Sequence, residues 1–173
     1  MPSDAFAALS EEDLGDILAF VRAQPKVNGS TPDPALGPLG RVLIVTGALP
    51  FPAAAVAREN LGPSQRTIGV TAEYGHYLAH VAGCISCHGV SLSGGHLQGS
   101  PSDPPAQNLT PSGDLAHWTF DQFETAMRNG TRPDKTHIST FMPWPSLGQM
   151  TDDELKAIWL YLKSVPPKTT GSR

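Results

Sequence analysis

Long apolar runs are missing from this chain. None reaches the roughly 18 residues that a membrane-spanning helix needs. The best stretch, Val42 to Val56, is broken by Gly47, Pro50 and Pro52. Clusters of basic residues are missing too. With 12 Lys and Arg against 16 Asp and Glu, the net charge is −4, which argues against a nucleic-acid binder. The opening, Met1-Pro2-Ser3-Asp4, lacks the basic start and apolar core of an export leader. Cysteine is scarce: there are two, and both lie within four residues of each other.

What is present is glycine and proline, 34 of 173 residues, together with a modest apolar share of 39%. That composition is rich in loops without reaching full disorder. Four segments read as helices. Three carry an N-cap followed at the third position by a partner that can bond back, with an apolar staple across the turn. In the first, Ser10 is the cap, Asp13 stands at the third position, and Leu14, Ile17, Leu18 and Val21 form the stripe. In the second, Thr119 pairs with Gln122, and Gly130 stops the helix. In the third, Thr151 pairs with Glu154 ahead of Leu155, Ile158, Trp159 and Leu162. The fourth, about 71–83, aligns Tyr74, Tyr77, Leu78 and Val81.

The rest is irregular. Residues 26–70 read as a Pro-rich linker in which Val42 to Val45 fits a strand or a helical turn equally well. Residues 89–117 have no period, and so long a loop in a compact domain suits a chain that wraps something other than protein. A repeat is also visible. At an offset of 141, Ser10 falls on Thr151, Leu14 on Leu155, Ile17 on Ile158 and Pro25 on Pro166. The start of the chain thus resembles its own end.

The chemistry lies in Cys84-Ile85-Ser86-Cys87-His88. Two thiols three residues apart can both reach the vinyl groups on one edge of a haem, and the adjacent His then meets the iron. This spacing is the sign of c-type haem attachment. Two other readings use the same residues. A redox dithiol would need a strand-turn-helix context with alternating β segments, and none is seen. A zinc site would need two more ligands, for which His76 and His80, one helical turn apart, are candidates.

For the second axial ligand, Met142 stands out among four Met. It sits in an irregular segment, Thr140 to Pro145, stiffened by Pro143 and Pro145. Met127 reads as core and Met150 as a helix staple. His137, His96 and His117 are rivals. His/Met ligation raises the reduction potential relative to His/His and leaves no open position at the iron, so an electron carrier is expected rather than an enzyme. His88 Nδ1–H should donate to a backbone carbonyl, for which Pro101 to Ala106 is the expected source. Arg128, Arg132, Trp118 and Trp144 are candidate partners for the haem propionates.

Residues 71–167 resemble the class I cytochrome c domains of bacterial mono- and di-haem electron-transfer proteins. The likeness rests on Tyr74-Gly75-His76-Tyr77-Leu78, the Cys84 to His88 motif, Asn108-Leu109-Thr110-Pro111, Phe123 to Gly130, Met142-Pro143-Trp144 and Leu155 to Leu162. It implies an all-α fold of about three to five helices around one covalent haem c, with an extra N-terminal helix and an irregular linker. His88 and Met142 would ligate the iron, and Gly75 would meet Trp159 or Tyr161 where the first and last helices cross. Residues 1–27 would be the remnant C-terminal helix of a preceding cytochrome domain, 28–70 a linker, and 71–173 the haem domain. The missing first haem motif and missing leader point to a fragment or a misplaced start. The parent would work in the periplasm or on the outer face of the cytoplasmic membrane. Membrane association would come through the missing N-terminal region. Redox proteins, a dehydrogenase or an oxidase, would be its partners. The alternatives are the cytochrome subunit of a periplasmic dehydrogenase complex and a zinc-binding module.

Overall fold

A computed structural model describes residues 6–29, 35, 37–47, 66–96 and 103–172. Met1 and most prolines of the linker lie outside them. The chain divides into two compact units, Met1–Gln65 and Arg66–Arg173. In the first unit, α1 (Glu11–Ala23) starts at Ser10, whose hydroxyl accepts from Asp13 N at 3.1 Å. The undecided run Val42 to Val45 belongs to a helix, α2 (Pro38–Val45), with proline at its first position where no amide bond is lost.

The second unit carries α3 (Ala72–Val81), α4 (Cys84–His88), a 3-10 turn at Asp114–His117, α5 (Phe120–Asn129), α6 (Trp144–Leu147) and α7 (Asp152–Ser164). Among the described residues there are no strands, only isolated bridges between Gly95 and Ala106 and between Thr131 and His137. No helix among them is long and apolar enough to cross a membrane. The fold class is all-α, as the sequence implies.

The frame is the crossing of α3 and α7. A Cβ on Gly75 would overlap the carbonyl of Ala157, so only glycine lets the two backbones approach this closely. The resemblance points to Trp159 or Tyr161 at this contact; the structure puts the Ala157 backbone there instead, while Tyr161 meets His76, with ring centroids 5.0 Å apart. Leu155, Ala157, Ile158 and Leu162 are buried along α7 and join Tyr74, Tyr77 and Leu78 of α3 in one core with Phe123 and Met127 of α5. The rings of Phe123 and Trp159 lie 5.3 Å apart. Of the three expected capping boxes, those at Thr119 and Thr151 form in full, and at Ser10 the hydroxyl cap is present. Thr119 N bonds Gln122 Oε1 at 2.9 Å and Thr151 N bonds Glu154 Oε2 at 2.7 Å. Arg128, near the end of α5, donates to the carbonyls of Gly148 (2.6 Å) and Met150 (3.0 Å) and pairs with Glu124 and Asp152. It thereby fixes the start of α7 against α5.

Candidate functional site

Helix α3 stops at the turn Ala82-Gly83. Gly83 adopts the left-handed region at φ 75°, which redirects the chain into the short helix α4 carrying the motif. Cys84, Cys87 and His88 line one cavity of about 230 Å³. Its wall is mostly apolar, with Leu109, Leu115, Trp118, Phe123, Ile158 and Leu162 among the contributors. Met142 lines the same cavity from the loop ahead of α6. Met127 and Met150 reach it too, but Met127 is anchored in the core of α5. His96, His117 and His137 are exposed and are not among its lining residues.

His88 is buried, and its Nδ1 lies 2.7 Å from the carbonyl of Gln107. This bond fixes the ring, so that Nε2 is the nitrogen left for a metal. The acceptor is one residue past the expected stretch Pro101 to Ala106. Two features hold that carbonyl. Gly95 N and Ala106 N each bond the other's carbonyl, at 2.8 and 3.0 Å. Gly94, in the left-handed region at φ 70°, is packed so tightly that a Cβ there would overlap Gln107 C and O. Neither Gln107 nor Gly94 was singled out by its residue type. A backbone acceptor leaves no side-chain signature, and the positive φ of Gly94 is the only local signal that a close approach occurs.

The turn bearing Met142 is tied down on both sides. Met142 N donates to Ser139 O at 3.1 Å, and Trp144 N donates to Met142 O at 2.8 Å. The Trp144 indole rests on Gly130, the left-handed cap of α5. A Cβ there would come within 2.6 Å of Trp144 Cε2 and Cζ2. Of the four propionate candidates, Trp118 and Arg132 line the cavity. Arg128 is engaged by carboxylates and carbonyls on the α7 side. Trp144 Nε1 is a buried donor with no acceptor among the described residues.

These residues fit a haem. An apolar slot of this kind excludes water from a macrocycle, and two thiols and an oriented imidazole share its lining. They do not fit zinc. His76 and His80 meet edge-to-face on α3, ring centroids 6.1 Å apart, and are not among the residues that line the cavity. Among the described residues, no three His, Cys, Asp or Glu side chains converge as metal ligands. Burial pushes the Cys84 thiol up to about 11, its own backbone hydrogen bond works against that rise, and nearby Cys87 adds to it. Cys84 as a free thiol therefore stays protonated at neutral pH, which does not suit a redox nucleophile.

The cytochrome c family model matches residues 72–166. Over 96 residues the chain is 34% identical to the fructose dehydrogenase cytochrome subunit of Gluconobacter japonicus, which covers 51% of this chain and 20% of that protein. It is 33% identical over 94 residues to the cytochrome c subunit of the quinone alcohol dehydrogenase of Gluconacetobacter polyoxogenes, covering 50% and 20%. It is 28% identical over 125 residues to the gluconate 2-dehydrogenase cytochrome c subunit of Pantoea cypripedii, covering 68% and 26%. The chain thus spans only about a fifth to a quarter of the length of these relatives. The helical frame, the apolar cavity beside the motif and the family match over more than half of the chain lead to one conclusion: this chain belongs to the cytochrome c family, and its haem domain is an electron carrier rather than an enzyme.

Proposed function

We propose that the domain holds one haem c through thioether bonds from Cys84 and Cys87, with His88 and Met142 as axial ligands. One observation carries this reading: all four side chains line a single apolar cavity, and His88 Nδ1 is already tied to Gln107 O at 2.7 Å. When bound, haem c supplies a one-electron iron couple. Everything else is the work of the chain. His88 presents Nε2 in an orientation set by Gln107. The thioether of Met142 would serve as the second iron ligand and would favour the reduced metal. Leu109, Leu115 and Ile158 keep water out. Arg132 and Trp118, which line the cavity, would hold the propionates.

The physiological donor in this reading is a dehydrogenase, on the periplasmic side or the outer face of the cytoplasmic membrane. Support comes from the relatives, which are named as cytochrome subunits of dehydrogenases. Residues 71–173 are the haem domain, 28–70 a linker, and 1–27 the last helix of a preceding cytochrome domain. The likeness of α1 to α7 supports that division.

The test is expression in the periplasm of a host that matures c-type cytochromes. Intact mass should rise by one haem, a covalent haem stain should survive denaturation, and the reduced spectrum should show sharp α and β bands. A protein with zinc and no covalent iron porphyrin would overturn the reading. Met142→Ala should keep the haem but lose the low-spin His/Met spectrum.

A further inference from the structure

Beyond α7 the chain does not leave the domain. It runs back over the loop that follows the haem motif. Asn108 Nδ2 donates to Lys168 O at 2.8 Å and to Thr170 Oγ1 at 3.2 Å. Asn108 Oδ1 accepts from Thr110 N (2.9 Å) and Thr110 Oγ1 (2.7 Å). Lys168 N donates to Thr110 Oγ1 at 3.2 Å. On the other limb of the loop, Gly171 N donates to Ser93 O at 3.1 Å, and Ser172 O accepts from Ser91 Oγ (2.6 Å) and Ser93 Oγ (2.9 Å). Ser93 and Thr110 are wholly buried, and Asn108 nearly so. A buried polar network this well satisfied holds its backbone rigidly.

The two limbs joined by this tail are those that flank Gln107. Asn108 follows it directly, and Gly94, packed against its carbonyl, follows Ser93 directly. We propose that residues 168–172 form a clasp, with Asn108 as its central positioning residue, that holds the Gln107 carbonyl on His88 Nδ1 and so sets the reduction potential. The proposal rests on His88 being the haem ligand. A strong bond from Nδ1–H to a fixed carbonyl makes the imidazole a better electron donor, which favours oxidised iron. With the clasp open, the carbonyl is free to drift, the imidazole donates less, and the reduced state gains.

Two variants test this in the haem-loaded protein: one lacking residues 168–173, and Asn108→Leu in the otherwise complete chain. Both should keep covalent haem by mass and helicity by circular dichroism. Both should show a higher midpoint potential, about a threefold or greater shift of the equilibrium with a fixed redox couple. The His88 Nδ1 proton, followed by NMR, should exchange with solvent faster. Wild-type potential and wild-type exchange in a haem-loaded variant would overturn the clasp and leave the haem assignment standing. An unaltered chain that carries no thioether-linked haem would overturn both.

Discussion

Helices α1 and α7 are close to the same sentence written twice. Each begins with a hydroxyl cap, each carries three acidic residues in its first turn, and their apolar positions coincide at one offset. Yet their surroundings are opposite. Leu14, Ile17, Leu18 and Val21 are 44, 43, 43 and 59% exposed, whereas Leu155, Ile158, Trp159 and Leu162 are 0, 4, 9 and 3% exposed. The period of a stripe and its cap decide that a helix forms. Whether the stripe stabilises anything depends on a partner, and α7 has one because Gly75 lets α3 come close.

The sharpest way to break this contrast is at the glycines. Gly75→Ala should cost about 3 kcal/mol or more and loosen the haem domain, because the new methyl meets the Ala157 carbonyl. Gly15→Ala in α1, where nothing lies within 4 Å, should instead stabilise its helix by about 0.5–1 kcal/mol. Urea titration followed by circular dichroism gives the first and amide exchange in α1 the second. Equal effects would mean that α1 is as tightly packed as α7. Truncations of the stripes come next. Leu155→Ala should lower stability by about 2–5 kcal/mol, and Leu14→Ala by less than about 1 kcal/mol, measured by the same titration.

Caps should separate the two helices less. Thr151→Ala removes a hydroxyl that bonds Glu154 N at 3.3 Å and should cost about 1 kcal/mol of global stability. Ser10→Ala should only fray α1, raising exchange at Asp13 without moving the unfolding midpoint. The smallest effect is one of pH, confined to the haem domain. The hydroxyl of Thr136 and then its amide hold the Asp134 carboxyl below its ordinary value. A depressed carboxylate stabilises the folded turn above its unfolded pKa, about 3.8, and loses that contribution as pH falls through the folded value. Acidification through that range should therefore shift the Thr136 amide resonance, followed by NMR.

Much of this was legible in the residues. Caps at Ser10, Thr119 and Thr151 mark where three helices begin, because each needs a specific oxygen at a specific place. Cys84, Cys87, His88 and Met142, which their residue types and setting single out, line one cavity. Other features were hidden. The run Val42 to Val45 is too short for its period to separate helix from strand. Helix α6 contains Pro145, which reads as a breaker but sits in the first turn, where it does no harm. The carbonyl of Gln107 and the contact of Gly75 with Ala157 are backbone interactions, and the identity of the partner residue does not encode them.

The seat of Trp144 on Gly130 has a consequence for how this domain can change. A methyl at 130 and an indole at 144 cannot occupy the same space, so position 130 cannot gain a side chain while Trp144 keeps its place. Gly130→Ala should be damaging with Trp144 present and milder beside Trp144→Leu, the residual cost being the positive φ of 65° that the helix stop requires. The ring thus acts as a one-way latch that keeps 130 without a side chain, and the loop that carries Met142 inherits that coupling.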